Sequence, residues 1–369
     1  MKRLFRKLHL WLGLISGLVV IIVCLTGALS LFRPEIESMM EPWRHVQSSK
    51  APSLSPQQLI GRANLATGLS HPTALTMGMR TEAAKMDYMN ENGNFISVFL
   101  NPYTGNVLHI TEVEPGDFNF FDFLMDGHLH LWLPKAIGKP IVSYGVLLFF
   151  ITLLTGMFIS WPKRWNKKTL RQHFLFHRPL RMPRLNWDLH NVLGYYLLLP
   201  LLAACWTGMM FGLDWFSGAV YRLVSGGQEM QAYEMPQSVL EHSNEKTASL
   251  DALSKRLQKQ EPLAVQFYYA LPQNDSDVYR VSIVHEPGSY YKQDNRYFDQ
   301  YTLKELAGSG PWAGKYKEKS AADKMMRMNL DIHEGIVFGL FGKIIMLLAC
   351  FVGASLPITG LVIYLRRKR

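Results

Sequence analysis

The stretch that decides the fold is "LHLWLGLISGLVVIIVCLTG", Leu8 to Gly27, because the chain writes it again as "LHNVLGYYLLLPLLAACWTG", Leu189 to Gly208. His9 and His190, Gly13 and Gly194, Cys24 and Cys205, Thr26 and Thr207, and Gly27 and Gly208 are each 181 positions apart. A second pair of apolar stretches repeats at an offset of 204, where Gly138-Lys139 matches Gly342-Lys343 and Thr155-Gly156 matches Thr359-Gly360. Just upstream, "LMDGH" ending at His128 resembles "NLDIH" ending at His333, at an offset of 205. The chain therefore reads as a duplication in which each half is helix, domain, helix, and every long helix ends in Thr-Gly.

These stretches belong in hydrocarbon. Leu8 to Phe32 and Leu189 to Leu213 each run 25 residues without Asp, Glu, Lys or Arg, and Pro140 to Trp161 and Ile344 to Leu365 add 22 each. About 20 apolar residues cross a bilayer core, so four transmembrane helices are expected. The first is longer than a signal-peptide apolar region and no A-x-A-like site follows it, so it is expected to stay in the membrane. Trp11, Trp132, Trp161, Trp187 and Trp215 suit interfacial belts.

The net charge of +10 is unevenly placed. Lys2, Arg3, Arg6 and Lys7, then Lys163, Arg164, Lys167, Lys168, Arg171, Arg178, Arg181 and Arg184, then Arg366, Arg367, Lys368 and Arg369 fall on one side if the helices alternate. That is the positive-inside asymmetry. It puts both termini and the loop 163–187 on the cytoplasmic side, leaves two long segments outside, periplasmic if the host has two membranes, and implies contact with lipid and no nucleic-acid partner. Cys24, Cys205 and Cys350 all lie in expected helices and form no C-x-x-C pair, which excludes a disulfide framework in the soluble parts.

The expected layout is 1–34 for the N-terminus and first helix, 35–125 for a first periplasmic domain, 126–162 for the second helix and 163–187 for the basic loop. The third helix follows over 188–214, a second periplasmic domain over 215–330, and the fourth helix with the C-terminus over 331–369. Both soluble segments read as small α+β modules. In the first, Ser55-Pro56 starts a helix, and "NFISVFLNPYTGNVLHI" alternates like a strand, turns and resumes. In the second, "SLDALSKRLQKQ" is amphipathic, "LAVQFYYAL" and "DVYRVSIVH" read as strands, and "RYFDQYTLKEL" echoes the NPYTG turn at an offset of 198.

The duplication brings His9 and His190 to one membrane face and His128 and His333 to the other. Two neutral imidazoles from opposite helices are what a haem iron takes as axial ligands, and a helix bundle can hold the flat ring between them. Gly13 and Gly194 lie one turn beyond the inner histidines and leave room for a ring. Zinc is the rival metal, but no acidic or cysteine ligand accompanies the pairs at helical spacing. His130 is an alternative outer ligand to His128, since the two cannot share a helix face. Lys139 and Lys343, equivalent by repeat, are candidate contacts for haem propionates, and His173 and His177, read as a helical i,i+4 pair in the basic loop, are candidate contacts for lipid headgroups or haem propionates. Gly13 and Gly17 form a GxxxG suited to close helix packing, and the Thr-Gly dipeptides are read as packing elements. Met325, Met326 and Met328 are read as flexible packing. Gly308, Gly310 and Gly314 miss the dinucleotide spacing, so electrons are expected from a separate donor.

The start "RKLHLWLGL…TGALSLF", the "NPYTGNVL" turn before a membrane histidine, and the later "DLHNVLG" and "DIHEGIVFG" together resemble the PepSY-associated transmembrane family over almost the whole chain. Within it the sequence resembles the iron-regulated branch, which includes a di-haem ferrisiderophore reductase. The resemblance implies two bis-histidine haems b at His9, His190, His128 and His333 and PepSY-like modules in the periplasm. The second module departs from the family turn, with Asp299-Gln300-Tyr301-Thr302-Leu303 in place of Asn-Pro-Tyr-Thr-Gly. The combined expectation is a four-helix membrane oxidoreductase with two α+β modules. It would take electrons from a quinol or a soluble donor and reduce a ferric siderophore or other ferric chelate. Two other classes compete: a transporter, which would be expected to show broken helices or midplane charges, neither visible in the sequence, and a non-catalytic scaffold binding a peptide or protein through its PepSY-like modules.

Overall fold

The computed structural model describes residues 2–162, 164, 166–177, 182–239 and 248–368. Lys163, Arg178, Arg181 and Arg369 of the basic clusters lie outside the described residues. In chain order the helices are α1 (Lys2–Ser30), α2 (Arg33–Met40), α3 (Pro56–Thr67), α4 (Phe120–His130), α5 (Lys135–Ser160), α6 (Lys167–Phe174), α7 (Met182–Asp188), α8 (Gly194–Tyr196), α9 (Leu198–Gly212), α10 (Asp214–Ser225), α11 (Leu250–Gln260), α12 (Ala321–His333) and α13 (Gly339–Lys368). The strands are β1 (Pro72–Met77), β2 (Ala84–Met89), β3 (Phe95–Leu100), β4 (Val107–Val113), β5 (Gln266–Ala270), β6 (Val278–Val284), β7 (Asp294–Asp299) and β8 (Glu305–Leu306). They form two compact units: Met1–Arg33, Phe118–Val220 and Asn329–Arg369 make the first, and Pro34–Asp117 with Tyr221–Met328 the second.

The first unit is helical and apolar, and it makes this a membrane protein. Three spans, Lys2–Met40, Lys135–Ser160 and Ile336–Arg366, are long and apolar enough to cross a bilayer, and a bent pair, Met182–Tyr196 with Leu198–Gly212, brings the count to as many as four. Small residues let these helices approach. A Cβ on Gly145 would stand 2.8 Å from Val19, and one on Gly17 would stand 3.1 Å from Pro357. Val20, Phe149, Leu153, Leu201, Cys205, Met346 and Leu356 fill the space between them.

Two sequence expectations change here. The third apolar run is broken: a π-helical turn at Leu189–Leu193 leads into α8, and the chain then bends by 65°. At the break Leu197 leaves the helical region, with φ −102° and ψ 13°. The ring of Pro200, three residues on, crowds the carbonyl of Tyr196 and removes one helical N–H. His128 and His333 also do not begin the membrane helices. His128 sits on α4, which stops at Leu131 in the left-handed region, φ 58°, before α5 begins. His333 is the last residue of α12, and Gly335 and Gly339, both at positive φ, separate it from α13.

The second unit is one antiparallel sheet of eight strands in the order β4-β3-β2-β1-β5-β6-β7-β8. By sequence alone the soluble segments are expected to form two separate modules. Here β1 pairs with β5, Ala74 opposite Ala270 and Thr76 opposite Tyr268, so that each half closes the open edge of the other. The repeat is exact in order, since β1 to β4 and β5 to β8 are both meanders reading outward from this seam. α3 and α11 cover one face, and Leu59, Ala63, Leu253 and Leu257 bury Leu75, Met86, Tyr88, Val98, Tyr269, Val281 and Phe298 beneath them. Ser55 starts α3 with a capping box to Gln58.

Candidate functional site

The first unit places all four repeat-equivalent histidines against the Thr-Gly dipeptides of neighbouring helices. Nδ1 of His9 lies 3.0 Å from the carbonyl oxygen of Thr152 and 3.2 Å from Oγ1 of Thr155. Nδ1 of His128 lies 2.9 Å from the carbonyl oxygen of Val23 and 3.5 Å from Oγ1 of Thr26. In the second half His190 Nδ1 is 2.9 Å from Thr359 Oγ1, and His333 Nδ1 is 2.7 Å from Thr207 Oγ1. The arrangement is reciprocal: within each half, the histidine of one helical segment rests on the Thr-Gly of the other.

These bonds select one tautomer. A carbonyl oxygen only accepts, so Nδ1 of His9 and of His128 must carry the hydrogen. Each threonine has one hydroxyl hydrogen, and each donates it within its own helix: Thr207 to the carbonyl of Ala203 at 2.7 Å, Thr359 to Ser355 at 2.8 Å, Thr26 to Ile22 at 2.7 Å and Thr155 to Thr152 at 2.8 Å. The threonine oxygens can therefore only accept from the imidazoles. A neutral imidazole that donates from Nδ1 presents a bare lone pair at Nε2, the state a metal requires.

Glycine completes the seat. A Cβ on Gly27 would stand 2.8 Å from Cε1 of His128, on Gly156 3.0 Å from that of His9, on Gly360 3.2 Å from that of His190, and on Gly208 3.7 Å from that of His333. By sequence alone these dipeptides are expected in helix packing and Gly13 and Gly194 beside the ring. A Cβ on Gly13 would stand 3.4 Å from Thr152 and one on Gly194 3.3 Å from Leu356, and the Thr-Gly glycines lie against the imidazoles. The available signal was numerical: four Thr-Gly dipeptides recur with the same duplication as the four histidines.

Across the halves the imidazoles face each other. The rings of His9 and His190 are 6.2 Å apart at 88°, and those of His128 and His333 are 6.1 Å apart at 72°. Two imidazoles each bonded at about 2 Å to one ion would have ring centres roughly 6 Å apart, so the spacing of both pairs fits a group held by two imidazoles. The only cluster of three or more His, Cys, Asp or Glu ligand atoms among the described residues is Glu261, His285 and Asp294 in the second unit. Among the described residues neither membrane pair has a third ligand atom of these types beside it, which disfavours tetrahedral zinc. The Glu261 cluster is already engaged by Arg296, by Lys315 and by the His285–Asp294 bond. His9 and Thr26, which mark the two pairs on α1, are separated by roughly 25 Å of helix.

The other candidates separate. His130 bonds Asp126 at 3.0 Å, and it is the ring of His128 that pairs with His333. Lys343 is 7% exposed, with its Nζ 4.7 Å over the ring of Phe32, while its repeat mate Lys139 is only half-buried. His173 and His177 are not an i,i+4 helical pair, because α6 ends at Phe174. His173 bonds the carbonyls of Thr169 and Ser160, and His177 joins Arg184 around buried Asp188.

No curated protein matches this chain in sequence. The model of the PepSY-associated TM region matches residues 6–367, and with the duplicated helices, paired histidines and sheet described above, the chain belongs to that family.

Proposed function

We propose that this protein is a di-haem oxidoreductase of the bacterial inner membrane that reduces a periplasmic ferric chelate such as a ferric siderophore, with electrons from the cytoplasmic side or from quinol. The observation that carries the reading is the four-fold repetition of one seat: Nδ1–H held by a carbonyl or threonine oxygen, Nε2 left bare, and a second imidazole about 6 Å away. His9 with His190, and His128 with His333, would each hold one haem b. When bound, haem supplies a one-electron redox couple. The chain's own part is to fix the imidazole planes through the threonines, to admit them against the helices through the glycines, and to keep bulk water away with apolar walls. Lys343, buried beside Phe32, would offer its positive charge to a propionate. Reading the bent pair as one span gives four crossings, and the basic clusters support a topology with both termini and the 163–187 loop in the cytoplasm.

The test is a visible spectrum of the purified protein with a haem count. A Soret band, low-spin α and β bands on reduction, and two haems per chain are expected. Alanine at any one of the four histidines should remove about half of the pigment. Pigment unchanged in all four variants would overturn the reading. Oxidation of the reduced protein by ferric siderophores, followed by stopped flow, tests the acceptor separately.

The 65° break in the third apolar run favours one second reading, a transporter with a discontinuous helix. It predicts uptake of a labelled chelate into vesicles without any need for pigment. Pro200 accounts for the break without a substrate, so the oxidoreductase reading is preferred.

A further inference from the structure

The second unit holds a cavity of about 400 Å³ lined by Tyr233, Arg280, Ser282, Gln293, Asn295 and Trp312, a size usual for small-molecule sites. Alternation along the strands explains the lining. Arg280 and Ser282 on β6 stand opposite Tyr297 and Asn295 on β7, on the face away from the core beneath α3 and α11.

The internal repeat supplies a control. The turn offset of 198 aligns Tyr297 with Phe99, Asn295 with Ser97 and Gln293 with Phe95. Phe99 faces Lys85 and Ser97 faces Asp87, so Lys85 corresponds to Arg280 and Asp87 to Ser282. In the first half the site is closed: Lys85 Nζ is 3.0 Å from Asp87 Oδ1 and 5.5 Å from the ring centre of Phe95. In the second half the carboxylate has become serine and the phenyl has become an amide. Among the described residues Arg280 has no ion-pair partner within 4.0 Å, and its buried Nε has no hydrogen-bond partner.

Further groups are left over. Tyr297 donates its hydroxyl to Tyr233 at 3.1 Å, which leaves the Tyr233 O–H free to donate into the cavity. Ser282 and Asn295 are tied to each other at 2.7 Å, and Asn295 also donates to the Trp312 carbonyl. A second cation stiffens the wall. Arg327, fully buried, donates to the carbonyls of Pro311, Gln293, Ala313 and Gly314, and lies 6.0 Å from the ring centre of Trp312. Arg280 thus lines the cavity with a guanidinium that has no carboxylate partner among the described residues, which makes it a place for negative charge.

We propose that this cavity is a recognition site for a small aromatic organic anion, its carboxylate or comparable planar oxyanion engaged by Arg280 and Tyr233 and its flat part laid against Trp312. A guanidinium fork matches such an oxyanion in two parallel bonds. The proposal does not depend on the histidine pairs, and its test reads binding alone.

The test is titration calorimetry of sodium salicylate into the full chain in detergent, with neutral salicylamide as its twin and empty micelles as blank. Salicylate should bind saturably and salicylamide at least tenfold more weakly. Ser282→Asp, which restores the carboxylate of the first half, should lower salicylate affinity at least tenfold, and Arg280→Gln should do the same, with circular dichroism reporting on folding. Should both variants fail to fold, the comparison of the two ligands on the unmodified protein decides. Equal binding of the two ligands, no saturable binding of salicylate, or unchanged salicylate affinity in folded Ser282→Asp would each overturn the proposal.

Discussion

Thr207 and Thr26 occupy the same place in the repeat and do different amounts of the same task. Thr207 Oγ1 is 2.7 Å from His333 Nδ1, whereas Thr26 Oγ1 is 3.5 Å from His128 Nδ1, which has the Val23 carbonyl at 2.9 Å instead. The same division holds between Thr359 and Thr155. Valine keeps the shape of threonine and removes the acceptor. On the proposed reading, Thr207→Val and Thr359→Val should weaken haem retention by about tenfold or more, the scale of losing a ligand's hydrogen-bond partner. Thr26→Val and Thr155→Val should cost distinctly less, as haem dissociation to an acceptor globin would show. The glycines can be ranked as well: a methyl group on Gly27 would stand 2.8 Å from its imidazole and one on Gly208 3.7 Å away. Gly27→Ala should disturb the low-spin spectrum of one haem, and Gly208→Ala should leave it nearly unchanged.

At the scale of elements, the turn after β7 shows how a repeat can drift in sequence and keep its geometry. Asn101 Oδ1 accepts from the N–H groups of Tyr103 and Thr104, and Asp299 Oδ1 accepts from those of Tyr301 and Thr302. The left-handed position held by Gly105 at φ 73° is held by Leu303 at φ 56°. Asp299 also takes the N–H of Val239 on its other oxygen at 2.9 Å. Burial pushes the Asp299 pKa up, but the hydrogen bonds from Val239, Thr302 and Tyr301 outweigh it and hold the carboxyl below its ordinary value. A carboxyl depressed on folding stabilises fully above its unfolded pKa of about 4 and loses that contribution as pH falls through the folded value. Asp299→Asn, which copies the first half, should lower the melting temperature at neutral pH and flatten its fall on acidification, measured between about pH 7 and pH 3.

At the scale of the whole molecule, each histidine pair takes one member from each half of the chain, so the halves are coupled where they would bind. His9→Ala and His190→Ala remove the same seat. The double variant should therefore lose no more pigment than either single one, whereas His9→Ala with His128→Ala should lose nearly all of it, read by haem content per chain. The second unit has its own whole-chain anchor in Arg327. That buried guanidinium spends its hydrogens on four main-chain carbonyls. Arg327→Met leaves those carbonyls buried without a donor and should destabilise the unit by about 3 kcal/mol or more, visible as a lower melting temperature.

Much of this architecture was legible in the residues. Apolar length and charge asymmetry are summed properties of a segment, so the membrane helices could be read without knowing their neighbours, and offsets of 181 and 204 exposed the duplication. The alternating strands near NPYTG and the Ser55 cap are equally local. What remained hidden depends on contacts between distant residues. Nothing near Ala74 announces that it will pair with Ala270, and nothing in Thr-Gly announces an imidazole arriving from another helix. Only the tertiary structure decided which of His128 and His130 faces His333, that Nδ1 is the committed nitrogen, and that Ser282 leaves Arg280 without the carboxylate its repeat mate enjoys. Periodicity and composition are set along the chain, but a hydrogen-bond partner is set by whatever folding brings within about 3 Å.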